Sequence, residues 1–412
     1  MEEILEKTIS ELQLDKSKWK LTKFGDVAIQ QKQTVDRENT DLTRYVKGEH
    51  MRSEDLHLRE WGELTDEYLG PAFIRRFDEG DILYGSRRTY LRKVVIAPFS
   101  GITSNTTFVA KANEKKIDKR LLPFIMMSEG FTENSIKNSK GSVNPYINWK
   151  DIAKYEFLLP PKEEQVKLVE LLWAMDEVIE REREVLEKLN NSYSTSINQF
   201  MIHGDLKSEG ELVKTKCGLL DSRIGTVKLK DCLAEKPTYG ANASSKIHEN
   251  SAPRYIRITD IDDEGNLIAE DKVTIDSNDY VNYLLAHDDF LFARTGNTVG
   301  KTLLFNEKMG ESVFAGYLIR FKLNPNILRP KFLFYYTKSL KYESFKRKMI
   351  KVGAQPNINS EEYQSMILPE FSIQIQDTLI DKLDFLKYNI DQLKSKISSS
   401  HSLQKSLINQ VF

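Results

Sequence analysis

The sequence predicts a mixed α/β (α+β) protein built from one unit used twice: a globular domain followed by a long helix, then a second domain and a second helix. Three observations carry this expectation. Strand–loop motifs recur 208 positions apart, GDILYGSRRTYLRK from Gly80 and DDFLFARTGNTVGK from Asp288. Each globular stretch mixes short β-rich runs with helical ones. Two stretches that follow prolines keep a 3-4 apolar spacing over more than four heptads, the mark of a coiled coil.

Taken in order, a helical segment is expected over 1–17 and a first globular domain over 18–160. Its β-rich runs are Val94 to Ala97 and Phe108 to Ala110, and its helical run is Arg120 to Met127. Pro160-Pro161 then marks a boundary across which a helix does not extend backwards, and the first long helix is expected over 161–201. Its seam runs Leu168, Leu172, Met175, Ile179, Glu182, Leu186, Leu189, Tyr193, Ser196, Phe200. Residues 202–225, polar and without sustained periodicity, read as a connector.

The second domain, 226–369, carries β-rich runs at Tyr255 to Ile258, Phe290 to Phe292 and Tyr317 to Leu323, with a helical run at Lys331 to Lys338. After Pro369 the second helix, 370–412, repeats the first seam at an offset of 211: Leu379, Leu383, Leu386, Ile390, Leu393, Ile397, Ser400, Gln404, Leu407, Val411. Ser196 to Phe200 (SINQF) matches Leu407 to Val411 (LINQV), and GSVNPYIN from Gly141 is echoed by GAQPNIN from Gly353 with one residue deleted. Two matched helices in one chain favour an antiparallel intramolecular pair about a pseudo-two-fold axis over a dimerisation helix. At 1.5 Å per residue, roughly 38 residues make a rod of about 57 Å. The charges Glu180 to Glu184 and Lys394-Ser395-Lys396 read most simply as its solvated face.

Composition narrows the function. The 412 residues, 40% hydrophobic, exclude a disordered tail, and no run approaches the roughly 18 apolar residues of a spanning helix. The start, MEEILEKTIS, lacks a signal peptide's charge and apolar run, so a cytoplasmic protein is expected. Cys217 and Cys232 are too few for a disulfide framework or a zinc site. With 60 Lys+Arg against 61 Asp+Glu, the net charge of −1 gives no global sign of nucleic acid.

Catalytic constellations are looked for and missed. Ala293 to Thr302 (ARTGNTVGKT) approaches a phosphate-binding loop, but Gly296 and Gly300 leave three residues between them where that loop needs four. Asn144-Pro145-Tyr146 lacks the second proline of an amino-methyltransferase turn. The histidines are scattered with no metal-ligand spacing. The acids Asp260, Asp262 and Asp263 read as turn residues. No catalytic residue, metal site or cofactor is expected, and a binder is the simplest reading.

Loops at corresponding places in the two halves suggest what is bound. Arg87, Arg88, Tyr90 and Arg92 in the first are matched by Arg294, Asn297 and Lys301 in the second, and Lys140 and Asn144 by Gln355 and Asn357. Tyr239 and Asn242 lie in a further loop of the second half. Arginine fits the O6/N7 edge of guanine, asparagine and glutamine the N6/N7 edge of adenine, and lysine the phosphates. For Arg92 and Lys301 a salt bridge with nearby acids is the alternative. A coiled-coil adaptor that binds proteins through paired domains is the rival class.

On the GDILYGSRR and DDFLFARTGNTVGK units, the glycine loop followed by FLLPPKEEQ (Phe157 to Gln165) and the two repeat-closing helices, the sequence resembles the specificity subunits of type I restriction-modification systems. The second closing motif, MILPEFSIQIQ from Met366, departs by lacking the acid before its glutamine. The resemblance implies two target recognition domains that each read half of a bipartite double-stranded DNA sequence. It implies helices that set the spacing and dock methyltransferase subunits, two in number, with restriction subunits as further partners and no membrane. S-adenosylmethionine, ATP and magnesium would belong to those partners only. An orphan subunit serving methylation alone fits the same residues.

Overall fold

Alternating apolar residues in short runs make narrow sheets, and each half of the chain folds its runs into two of them. A computed structural model describes residues 14–37, 39–65, 68–205, 210–247, 252–277, 279–350 and 355–412. The segment 1–17, expected to be helical, lies largely outside these; Lys16–Lys18 forms a single 3-10 turn. By internal contacts the protein divides into two compact units. One contains the chain up to Glu184 together with Lys394–Phe412, the other Val185–Leu393.

In the first unit a four-stranded antiparallel sheet has the order Ala28–Gln31, Thr107–Ala112, Ile82–Gly85, Val94–Ile96. A second sheet runs Gly62–Glu63, Arg44–Val46, Gly101–Ser104, Phe73–Phe77, its Arg44–Val46 and Gly101–Ser104 strands parallel. The second unit repeats the order of the first of these sheets. Its first sheet is Thr238–Tyr239, Leu318–Phe321, Phe290–Ala293, Thr302–Leu304. Its second, Ser245–Ile247, Val273–Ile275, Arg254–Ile256, Ser312–Phe314, keeps one parallel pair but has it at the edge rather than the centre, the fourth strand being added on the other side. Strand order in the first sheets, which carry the repeated motifs, thus bears out the duplication, while the second sheets have diverged.

Each domain is closed by pairing its first strand with its last. Lys20–Lys23 lies antiparallel to Glu156–Leu159, and Gly225–Lys228 to Ile367–Glu370. The chain then leaves through prolines into a long helix, Lys162–His203 in the first case and Ile373–Val411 in the second. A 42-residue and a 39-residue helix extend about 63 Å and 58 Å.

The apolar seam decides what each helix end packs on. In the first unit Leu168, Leu172 and Met175 join Leu407, Ile408 and Val411 in one core with Phe24, Phe124 and Phe131. In the second, Ile197 and Met201 join Leu379 and Leu383 in a core with Phe292, Phe321 and Tyr363. The helices run antiparallel in both units: Gln404 Nε2 donates to the Leu172 carbonyl at 3.3 Å, Lys396 meets Glu182 at 2.8 Å, and Phe371 packs on Gly204. Burying each such aliphatic side chain stabilises by roughly 1.5–3 kcal/mol.

Two expectations are corrected. The charged run Glu180 to Glu184 is not simply a solvated face. Glu182 is buried, and Arg59 bridges Asp55 and Glu180 at 2.7 and 2.6 Å while Arg183 reaches Asp55 at 3.2 Å. The helix needs charges there because the domain it lies against presents its own. The connector 202–225 contains a hairpin, Leu212–Thr215 with Gly218–Asp221. Gly218 supplies the positive φ of 95° that the turn requires, and Asp221 is buried against Arg223 at 2.7 Å. No helix among the described residues is long and apolar enough to cross a membrane.

Candidate functional site

The strand Ile82–Gly85 is buried along Ile82, Leu83 and Tyr84, so the polar residues after it are delivered to its exposed end. Gly85 and Lys93 close this loop with a 3.0 Å backbone bond. Arg88 and Arg92 flank the 3-10 turn Thr89–Leu91 and both take left-handed backbone, with φ of 50° and 48°. For a residue with a Cβ this costs on the order of 1–3 kcal/mol and persists only when the surroundings enforce it. At Arg92 the Glu54 N–H holds the carbonyl at 3.1 Å, and at Arg88 a second loop enforces it. The Arg88 N–H donates to the Pro145 carbonyl at 2.7 Å, Arg87 bridges Tyr146, and the Ile147 N–H donates to the Ser86 carbonyl at 2.9 Å. That second loop is itself a small hairpin, Lys140 and Tyr146 exchanging bonds of 2.8 and 2.9 Å.

The result is one surface carrying Arg87, Arg88, Tyr90, Lys140 and Asn144, all exposed. Arg92 is not part of it: its guanidinium turns inward, to Glu54 at 2.8 Å and to the Met127 carbonyl at 2.8 Å.

The second unit repeats the construction on a different set of side chains. The Ile358 N–H donates to the Arg294 carbonyl at 2.9 Å, the counterpart of the Ile147–Ser86 bond, and the Gly296 N–H donates to the Pro356 carbonyl at 3.0 Å. Thr295 bridges Asn357. The Arg294 guanidinium lies over the Tyr239 ring at 5.0 Å, and Nε stands 3.5 Å from Asn357 Oδ1. The Tyr239 hydroxyl accepts from the Ser360 N–H at 3.1 Å. Tyr239, Arg294 and Asn357 are therefore brought together, with Asn297 and Gln355 exposed in the same two loops. Asn242, also exposed, seats its Oδ1 against Gly316, where a Cβ would meet it at 2.1 Å. Lys301 is turned away, paired with Asp263 at 2.9 Å and donating to the Ile261 carbonyl at 3.1 Å.

Other residues at these surfaces escaped the sequence reading. Tyr146 stands where the second repeat has Asn357, and the GSVNPYIN–GAQPNIN match already aligned the two. Tyr317, 61% exposed, hands its carbonyl to the Arg294 N–H at 3.0 Å; it was legible only as the start of a strand. The helix Leu340–Met349 ends in Lys346, Arg347 and Lys348 and runs toward residues 351–354, which belong to the expected glycine loop and lie outside the described residues. These surfaces offer guanidinium, amide and aromatic groups. They suit a ligand with acceptor edges, flat faces and negative charge. No group of three or more His, Cys, Asp or Glu side chains that could hold a metal occurs among the described residues.

Comparison with known proteins follows the same repeat. The family model described as type I restriction modification DNA specificity domain matches twice, over residues 16–191 and 218–399. The EcoDI type I restriction enzyme specificity subunit of Escherichia coli is 28% identical over 198 residues, 46% of this chain and 43% of that protein, so the match spans less than half of the relative. Two solved structures share the fold. One is from a study of assembly and conformational transition in a type I restriction-modification system (TM-score 0.59, 16% identity, 95% of this chain and 96% of the other). The other is a type I restriction-modification S subunit from M. genitalium (TM-score 0.53, 15% identity, 96% of each chain).

Proposed function

The chain belongs to the family of type I restriction-modification DNA specificity domains, and on that premise we propose that each of its two domains reads one half of a bipartite duplex DNA target. The observation that carries the reading is the pair of loops, hydrogen-bonded in the same way in both units, that presents Arg87, Arg88, Tyr90, Lys140 and Asn144 in one case. In the other it presents Tyr239, Arg294, Asn297, Gln355 and Asn357. Identical backbone supports with different side chains suit two readers of two different half-sites. Arginine and the amides supply base-edge recognition, while Lys140 and the basic helix end Lys346 to Lys348 supply phosphate contacts. Arg92 and Lys301, already ion-paired, are positioning residues in this reading.

The long helices would set the separation of the half-sites and dock methyltransferase subunits, with restriction subunits joining the same complex in the cytoplasm. The chain would contribute recognition and no catalysis. Methyl donor, ATP and magnesium would act on the partners. A reader of DNA loses affinity steeply as salt rises, because releasing condensed counterions then gains less entropy, with a log-log slope of about −0.9 per phosphate contact. Fluorescence anisotropy of the complex with a labelled duplex should therefore show a strong salt dependence. A flat response, with protein partners still bound, would favour the adaptor class instead.

A further inference from the structure

In the first unit a cavity of about 380 Å³ opens where Glu54 and Arg92 of the recognition domain face Arg183, His401 and Lys405 of the helices. Its lining holds three permanent cations against one carboxylate, and that carboxylate is shared: Glu54 pairs with Arg92 at 2.8 Å and with Lys405 at 2.9 Å. Arg92 and Arg183 each keep a buried Nε–H with no hydrogen-bond partner. A carboxylate oxygen of Glu180 stands 3.6 Å from the Arg183 Nε, beyond a good hydrogen bond, while Asp55, outside the lining, takes the other end of that guanidinium at 3.2 Å. A buried donor left unmatched costs about 1–3 kcal/mol. The hydroxyls of Ser398 and Ser402 line the same space.

The second unit provides the contrast. Asn190, Ser194 and Ile197, 211 places before His401, Lys405 and Ile408, line a cavity of about 230 Å³. There Lys338 and Lys387 face Asp263 and Glu264, cations and acids in balance. The duplicated architecture makes a cleft at the same place in both repeats, and only the first has an excess of positive charge among the residues that line it.

We propose that the first cleft is a phosphate-binding site, taking the phosphoryl oxyanion of a free phosphate compound or of the DNA backbone. Two guanidiniums, an ammonium and hydroxyls are the donor set such a group takes. Arg92 belongs to the recognition loop by its backbone and to the cleft by its side chain, so an oxyanion there ties the loop to both helices.

The inference does not rest on base reading by the loops, because phosphate titration succeeds or fails independently of it. The full chain would be titrated calorimetrically with inorganic phosphate at fixed ionic strength, chloride making up the balance. The expected result is saturable one-to-one binding, weakened at least tenfold by Lys405→Glu and unchanged by Ser194→Glu at the equivalent position. Melting by circular dichroism controls for folding, and Lys405→Gln removes the charge in a milder way. If the backbone is the source, inorganic phosphate gives no heat, but Lys405→Glu lowers the salt slope for a mixed-sequence duplex by about one contact. Either outcome supports the site. Equal phosphate binding by wild type and Lys405→Glu, or no change in either measurement, overturns it. So does a Lys405→Glu defect confined to methyltransferase association, which would make the cleft a seat for an acidic protein segment.

Discussion

Arg294 lies at the centre of the recognition surface proposed for the second domain, since its guanidinium stacks on Tyr239 while its backbone carbonyl anchors Ile358. Arg294→Ala keeps the backbone bond and removes only the side chain. It should relax methylation specificity at the half-site read by the second domain, by about 1–3 kcal/mol of discrimination, and leave the other half intact. Methylome sequencing reads this directly. Titration gives a second test at this scale. Asp176 accepts from His57 at 2.8 Å and holds its protonation above the ordinary histidine range. A raised folded value means the pairing stabilises fully below the unfolded value of about 6.5 and is lost as pH rises through the folded one. His57→Asn should thus lower the melting temperature more at pH 6 than at pH 9; an equal loss at both would refute the assignment. His401 goes the other way, lowered by burial and then by Arg183. Sequence alone placed the candidate arginines and amides in loops that the structure brings together, because polar residues following a buried strand have nowhere else to go. It named a salt bridge as the alternative for Arg92 and Lys301, but it did not decide that Arg92, unlike Arg87 five positions earlier, turns inward. That difference depends on Glu54 and the Met127 carbonyl, distant in sequence.

At the scale of the element, the heptad seam was legible because its apolar period is a property of the helix alone. Its polar interruptions were not. Glu182 and Gln404 sit in seam positions and are buried, and only the antiparallel pairing explains them: Glu182 meets Lys396 and Ser400, and Gln404 reaches the Leu172 carbonyl. The hairpin at 212–221 was missed because four-residue strands of mixed polarity resemble a connector until Asp221 is seen to be buried. If the helices set the half-site separation, inserting one heptad into both lengthens each by about 10.5 Å, roughly three base pairs at 3.4 Å. The gap in the methylated motif should widen accordingly. An unchanged gap with methylation retained would sink the ruler.

For the whole molecule, the duplication organises charge as well as fold. A net charge of −1 conceals that acids such as Asp55 and Glu180 are engaged where a helix meets its domain and Glu182 where the two helices meet, while Arg87, Arg88 and Lys140 stay exposed in the loops. Overall charge is therefore a poor guide to a protein whose proposed ligand would meet small surfaces of this kind. The claim that one unit is used twice, each copy reading independently, is tested most directly by exchange. Residues 226–369 would be replaced by the corresponding domain of a relative with a different target, and the host methylome read by long-read sequencing. The expected result is a new bipartite motif in which one half changes and the other half is kept. A motif altered in both halves, from a folded and active complex, would contradict it.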